Sequence, residues 1–433
     1  MIKQRSWKRI IVVTILMLVI FAAVPMFALA NPGNGEGLDP DTHFYVAKRN
    51  QDAIRQISEL TASGDKENAD LIRNMIELPQ SVWFESGSPH GVQQAVKNTV
   101  KRAAGKGTVP VLVAYNLPFR DCAQFSAGGA TTAEEYKAWI AGFAAGIGDQ
   151  QAVVILEPDG LGIIPWYKQF RGLDSEAGDY EWCQPAEADA ATSADDRFAM
   201  LNYAVDTLKA QPNVFVFLDG THSGWLGSGD AAHRLVQAGV ERADGFFLNV
   251  SNYQLNDRLE KYGAWIAKCV WFGSDPGSWG NGHFNWCVSQ YYPADPNDFS
   301  TWGLTDQWYV DNVESQTWVP YPGDEGLKKF VIDTSRNGQG PWTPTASYPD
   351  PQDWCNPPGR GLGLRPAADT GNPLIAAYLW IKIPGESDGE CTRGLGAAGE
   401  TVDPEWGLID PPAGHWFADM ALELVQNANP PLE

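Results

Sequence analysis

Short apolar runs rich in β-branched residues return along this chain at intervals, and amphipathic stretches with helical spacing separate most of them. The runs are Ser81 to Phe84, Val109 to Tyr115, Ala152 to Leu156, Val214 to Leu218, Gly245 to Val250, Lys329 to Ile332 and Ile375 to Ile381. Between them the periodicity predicts helices over Gly91 to Ala104, Ala133 to Ile147, Ala194 to Ala210 and Ala231 to Ala238. Helical spacing also covers much of Asp41 to Leu78 and of His415 to Gln426. Strands joined through helices run parallel, because each helix carries the chain back across the sheet. The fold class is therefore α/β with a parallel sheet, and its seven or so strands fall short of a closed eight.

Parallel βα repeats bring the C-terminal ends of all strands to one mouth, where catalytic groups gather. Asp121, Asp159 and Asp219 each lie where an apolar run stops. In Glu157-Pro158-Asp159-Gly160 the proline stiffens the exit of a strand, which gives Asp159 a defined direction and makes it the candidate general acid. Such a group needs a raised pKa, which a neighbouring carboxylate such as Asp121 would supply. The competing readings are a turn or N-cap aspartate at 159, and a structural ion pair between Arg120 and Asp121. The block from Tyr115 to Cys122 packs an aromatic ring, charge and a thiol into eight residues; Asp219 to Trp225 adds His222 and an indole at a Gly-hinged turn. Lys382, Glu386 and Asp388 follow the last strand, where a solvated charged loop is the bland alternative. Carboxylates that share a cleft with tryptophans suit cleavage of a glycosidic bond.

Several classes are excluded or constrained. Lys3, Arg5, Lys8 and Arg9 precede an apolar run from Ile10 to Phe27, and Ala28-Leu29-Ala30 completes a signal peptide, residues 1–30, followed by a Gly/Pro-rich linker at 31–37. An uncleaved anchor is the alternative, since the run is long enough to span a bilayer. Both readings place the remainder, 38–433, outside the cytoplasm; export makes it a secreted, extracellular chain with no membrane contact once the leader is removed. The net charge of −22 deepens when those cations leave, so nucleic acid is not a partner. Six cysteines in an exported chain imply disulfides, with fifteen pairings open. Cys269 with Cys287 is attractive because a Gly-rich loop lies between them. The six histidines form no metal-binding pair, so no metal and no cofactor is expected. Gly394 to Gly399 matches GxGxxG but neither follows a strand nor opens a helix. Trp265 to Trp318 holds seven of the 18 tryptophans and reads as a long irregular insertion, another wall for an active-site mouth.

Taken together, Ser81-Val82-Trp83, the Tyr115 to Cys122 block, Glu157-Pro158-Asp159, Asp219 to Trp225, and Trp354-Cys355-Asn356 with Lys382 to Asp388 closely resemble glycoside hydrolase family 6. These are inverting cellulases acting on β-1,4-glucan. The resemblance spans nearly all of 38–433 and implies a distorted barrel of about seven strands, with long βα loops roofing the C-terminal rim. It implies Asp159 as proton donor, Asp121 as the aspartate that raises the donor's pKa, Tyr115 as the ring that distorts the sugar, and Asp388 as base. Trp83, His222, Trp225, Asn249, Trp354, Lys382 and Glu386 match substrate-binding positions, and Arg120 and Asp219 supporting ones. Two disulfides carry over, Cys122–Cys183 and Cys355–Cys391, which leaves Cys269–Cys287. Departures are Ser387, where some members have cysteine, and Ser228, where exo-acting members carry a distal tryptophan. The long segment from Glu386 to Trp416 favours a cellobiohydrolase working on cellulose and cello-oligosaccharides from non-reducing ends, and a monomer is expected. An open-cleft endoglucanase is the alternative, and a non-catalytic carbohydrate-binding protein the alternative of another class.

Overall fold

The computed structural model describes residues 38–168, 170 and 179–432; the leader and linker readings lie outside them. Seven parallel strands pair in simple sequence order: β1 (Val82–Phe84), β2 (Val111–Ala114), β3 (Ala152–Leu156), β4 (Val214–Asp219), β5 (Gly245–Leu248), β6 (Lys329–Asp333) and β7 (Ile375–Leu379). The sheet curls without a ladder between its two edges. Ser81 N–H instead donates to the Trp380 carbonyl at 3.0 Å, drawing the edges together. This is the parallel α/β sheet that the repeats predict, in the distorted-barrel form that the resemblance implies.

The strands alternate between two apolar layers, as a period of two requires. Val111, Val113 and Tyr115, Val153 and Ile155, Phe217, Phe247, Val331 and Leu379 fill the barrel interior. Leu112, Ala114, Val154, Leu156, Val216 and Leu218 face outward, under the helices. Those helices are α3 (Pro89–Ala104), α4 (Ala133–Ile147), α5 (Ser193–Lys209), α6 (Ser228–Gln237) and α7 (Asn256–Ser274). A third apolar cluster joins the N-terminal α1 (Gln51–Ser63) and α2 (Lys66–Ile76) to the C-terminal α9 (Ala418–Gln426) around Trp380. The parity has a consequence at the rim. At the last residue of β4 and β6, and one residue past β2 and β3, the interior set becomes Asp219 and Asp333, Tyr115 and Glu157.

The insertion differs from expectation. Trp265 sits inside α7, whose buried Tyr262, Trp265, Ile266 and Cys269 give it a core-facing stripe. Irregular chain with a short α8 (Gly303–Tyr309) then runs on to β6. Because this segment follows a helix and precedes a strand, it is an αβ connection, and it packs behind the barrel wall on α6 and α7 instead of forming a face of the mouth. The helical spacing of 256–274 is legible in hindsight; the Gly and Asn content beyond it masked the helix. Among the described residues no helix is long and apolar enough to cross a membrane.

Close approach of β5 and β6 depends on Gly245. A Cβ there would lie 1.8 Å from the Lys329 carbonyl oxygen. Gly245→Ala is expected to destabilise the chain by about 1–3 kcal/mol through overpacking, read as a lower denaturant midpoint with an unchanged slope.

Candidate active site

Buried carboxylates first fix the loops on which the site is built. Glu157 accepts the N–H groups of Asn116 (2.8 Å) and Leu117 (3.1 Å), clamping the exit of β2 to that of β3. Asp219 accepts from Leu161 (3.2 Å), Gly162 (3.1 Å) and Thr221 (2.8 Å), so it braces the segment that carries Asp159. Asp333 does the same for three segments, accepting from Ser251, Ser335, Ile381 and Lys382. Arg197 closes the arrangement from below by donating to the carbonyls of Pro118, Gly160 and Ile163. Burial pushes Glu157 up to about 7 and Asp219 up to about 6, against the pull of those N–H donors.

Above these braces lies a cleft of about 800 Å³. Trp83, Tyr115, Arg120, Asp121, Asp159, His222, Trp225, Trp354, Lys382, Glu386 and Asp388 all line it, so eleven positions singled out from sequence converge on one groove. Asn249 and Asp219 lie beneath it. Asn249 is fully buried, donates to the Asp333 carbonyl at 2.9 Å and accepts the Gln254 N–H at 3.0 Å, so it shapes the 250–254 lining instead of facing the groove. No residue of 265–318 lines the cleft.

The two key carboxylates have opposite surroundings. Among the described residues no hydrogen bond ends on the carboxylate of Asp159, and its pKa is raised well above the usual range by burial, then by the charges of Asp219, Asp121 and Asp388. Asp388 is also buried, which alone would raise it, but Arg336 and Lys382 outweigh that and hold it below the ordinary value. Its Oδ2 accepts from Arg336 (2.9 Å), the Tyr253 hydroxyl (3.1 Å) and the Asn356 N–H (3.0 Å), while Oδ1 faces only Lys382 Nζ at 3.4 Å. The surroundings thus favour the protonated form of one acid and the ionised form of the other. That separation is how one fold assigns acid and base roles.

Asp121 is not paired with Arg120. The guanidinium donates to the carbonyls of Ser126, Glu85 and Tyr115 and lies 4.5 Å over the Tyr115 ring. Asp121 accepts the Ser126 N–H at 2.7 Å, and burial pushes it up to about 6. Tyr115 meets Trp83 edge to face at 5.4 Å, and Trp83 is fixed by donating to the Ile381 carbonyl at 2.9 Å. His222 accepts the Gly224 N–H through Nδ1, and burial lowers it to about 4, so its ring is neutral beside Trp225. Glu386 is pushed up to about 7 by burial, and Asn50, the N-cap of α1, donates to it at 3.2 Å.

Sequence reasoning gave no role to Asp333, Arg336, Tyr253 or Asn356, the last named only within the Trp354-Cys355-Asn356 block. Asp333 carries the same signal as the three aspartates that were found, an acid closing the run Phe330-Val331-Ile332. Arg336, Tyr253 and Asn356 come from three separate loops and have no shared local pattern. All three predicted disulfides are present: Cys122–Cys183 ties the Asp121 loop to the segment after Asp159, Cys355–Cys391 ties Trp354 to the Asp388 segment, and Cys269–Cys287 anchors the insertion to α7.

Fold and site together define an α/β glycoside hydrolase. The chain belongs to the glycosyl hydrolases family 6, whose family model matches residues 39–428. It is 32% identical over 386 residues to "Endoglucanase 1" of Streptomyces halstedii, covering 88% of this chain and 93% of that one. With "Endoglucanase A" of Cellulomonas fimi the identity is 30%, over 92% of this chain and 62% of the relative. Among solved structures, the endoglucanase Cel6 of Mycobacterium tuberculosis, in complex with methyl-cellobiosyl-4-deoxy-4-thio-β-D-cellobioside, superposes with a TM-score of 0.61 at 31% identity, covering 92% of this chain and 99% of that one.

Removing the Glu157 brace strands two buried N–H groups beneath the cleft. Glu157→Ala is expected to cost roughly 2–6 kcal/mol, from ~1–3 for each unsatisfied donor, and to lower turnover although Glu157 lies outside the cleft. Denaturant unfolding and turnover, measured together below the melting range, check both parts.

Proposed function

We propose that this chain hydrolyses β-1,4-glucan by single displacement with inversion, with Asp159 as acid and Asp388 as base. The observation that carries this reading is the opposed surroundings of two carboxylates in one aromatic-lined groove, Asp388 against the cations Arg336 and Lys382 and Asp159 among other acids. Asp159 protonates the leaving oxygen. On the other side of the linkage a water is polarised by Oδ1 of Asp388, the oxygen that its clamp leaves least engaged. Tyr115, wedged between Trp83 and Arg120, presses on the sugar at the cleavage position, and the indoles of Trp83, Trp225 and Trp354 offer faces to neighbouring glucosyl units. Asp121 supports Asp159 electrostatically. A structure complexed with a cello-oligosaccharide analogue among the relatives favours this substrate class. Export suits the three disulfides, which persist in oxidising surroundings.

For the mode of attack we favour release of cellobiose from chain ends. The segment 386–416 is pinned at its neck, where Ser387 N–H donates to the His415 carbonyl (2.8 Å) and Phe417 N–H to that of Gly385 (2.8 Å). Within it the buried Arg393–Asp403 pair at 2.7 Å and the Cys355–Cys391 disulfide stiffen the chain, and Ala413 to His415 project into the cleft wall. A rigid wall of this kind hinders a glucan from dropping in sideways. The names of the relatives at 30–32% identity favour endo action instead, whereas "Probable 1,4-beta-D-glucan cellobiohydrolase C" of Neosartorya fischeri matches at 27%.

Asp159→Ala is expected to lower turnover of cellotetraose about 10²–10⁴-fold with binding retained, the usual span for loss of general acid catalysis; equal turnover defeats the assignment. Asp121→Asn removes a charge that raises the pKa of Asp159, so the alkaline limb of the kcat/KM profile moves to lower pH. An unmoved limb contradicts the role given to Asp121. On soluble cellulose derivatives, steady cellobiose release at nearly constant viscosity is expected; a fast fall in viscosity assigns endo action.

A further inference from the structure

Outside the cleft, one loop leaves several aromatic rings in water. Trp279, Trp286, Tyr291 and Tyr292 are 37%, 38%, 45% and 75% exposed, all within the insertion that packs behind the barrel wall. Exposed rings grouped in one loop of a chain of net charge −22 mark a place of interaction, not of solubility. Trp279, Trp286 and Tyr291 are also held in place. Trp286 stacks flat on His283 with centroids 3.7 Å apart and lies 5.2 Å from Trp279, whose indole N–H donates to the Asn312 carbonyl at 2.9 Å. The loop is joined to the cleft edge at a defined point. The Tyr291 hydroxyl donates to the carbonyl of Trp225 at 2.7 Å, and the buried Gln290 amide donates to the carbonyls of Ser223 (3.0 Å) and Leu226 (2.9 Å). Trp225 itself lines the cleft.

We infer that Tyr291, Tyr292 and Trp286, with Trp279 beyond them, form an external platform for the β-1,4-glucan strand where it passes out of the cleft beyond Trp225. The inference rests on the β-1,4-glucan reading above and extends it to a surface away from the reacting groups. Continuity with the Trp225 edge supplies the occupant, because a polymer longer than the cleft has to continue over whatever borders it. Chemistry agrees with that occupant: the flat apolar faces of glucosyl rings stack on aromatic rings, and an uncharged polymer meets no repulsion from an acidic protein. Preorganised rings lose little freedom on binding, so the platform adds affinity at small entropic cost.

The test compares the full chain with a Tyr292→Ala, Trp286→Ala double variant, on amorphous cellulose and on cellotetraose. The double variant is expected to raise the dissociation constant for amorphous cellulose about three- to tenfold, the size of one or two aromatic stacking contacts. Cellotetraose turnover stays within a factor of two, because that substrate fits inside the cleft. Tyr292→Phe retains the polymer affinity. Unchanged affinity of the double variant for cellulose overturns the platform, as does an equal loss on both substrates, which signals damage to the Trp225 loop. A concentration-dependent dimer that the double variant abolishes, with polymer affinity unchanged, assigns the surface to a second copy and likewise overturns it. Failure of the unaltered chain to cleave cellotetraose strikes instead at the hydrolase reading on which the platform depends.

Discussion

Carboxylates that accept backbone N–H groups inside the barrel mouth are the interaction on which the rest of this structure depends. Glu157, Asp219 and Asp333 close three of the seven strands, point inward by strand parity, and together bind the N–H groups of nine loop residues. Each is buried where an unsatisfied charge would be costly, so each acts as a stake that its loop cannot leave cheaply. The loops thereby gain a fixed path without regular secondary structure. Left-handed backbone at Asp121, Glu157, Asp159, Thr221 and Asn249, with φ between 57° and 70°, is retained in the same ring of loops. Such conformations cost energy for non-glycine residues and persist only where surroundings overdetermine them, which these stakes do.

This arrangement accounts for the unequal legibility of the fold and the site. The sheet was readable because parallel strands buried on both faces become continuous apolar runs, and all seven were located to within a few residues. Position at a strand end likewise betrayed Asp121, Asp159 and Asp219, since an acid after an apolar run is conspicuous in sequence. Asp333 obeys the same rule, closing the run Phe330-Val331-Ile332, but that run is short and follows a long irregular insertion. The clamp on Asp388 could not be seen at all from local pattern. Arg336, Tyr253 and Asn356 reach it from loops separated by dozens of residues, and only the curl of the sheet brings them together.

Family resemblance and physical reading divide the work differently at the two carboxylates. Resemblance matched Asp159 and Asp388 to roles; the surroundings explain why those roles are not interchangeable. Asp159 sits among other acids without a hydrogen-bond donor, so adding a proton relieves repulsion. Asp388 sits against two cations, where adding a proton would forfeit two ion pairs and strand Arg336, which is wholly buried. Exchanging the two side chains would change nothing, because both are aspartates; exchanging their neighbours would reverse the direction of proton flow proposed for them.

The insertion shows the limit of composition as a guide. A segment rich in tryptophan, glycine and asparagine resembles an active-site loop, yet position in the βα repeat decides which end of a barrel a connection occupies. Chain that follows α7 and enters β6 belongs on the side away from the strand C-termini, and its cleft-facing role was lost for that topological reason. Part of it nevertheless climbs back: Ser228 at the start of α6 donates to the Val288 carbonyl, and Gln290 and Tyr291 brace the Trp225 loop. Its buried tryptophans, Trp265 and Trp302, pack as core, while Trp279 and Trp286 stay in solvent. Burial, not residue type, therefore separates the indoles that hold this protein together from those left free to meet a ligand.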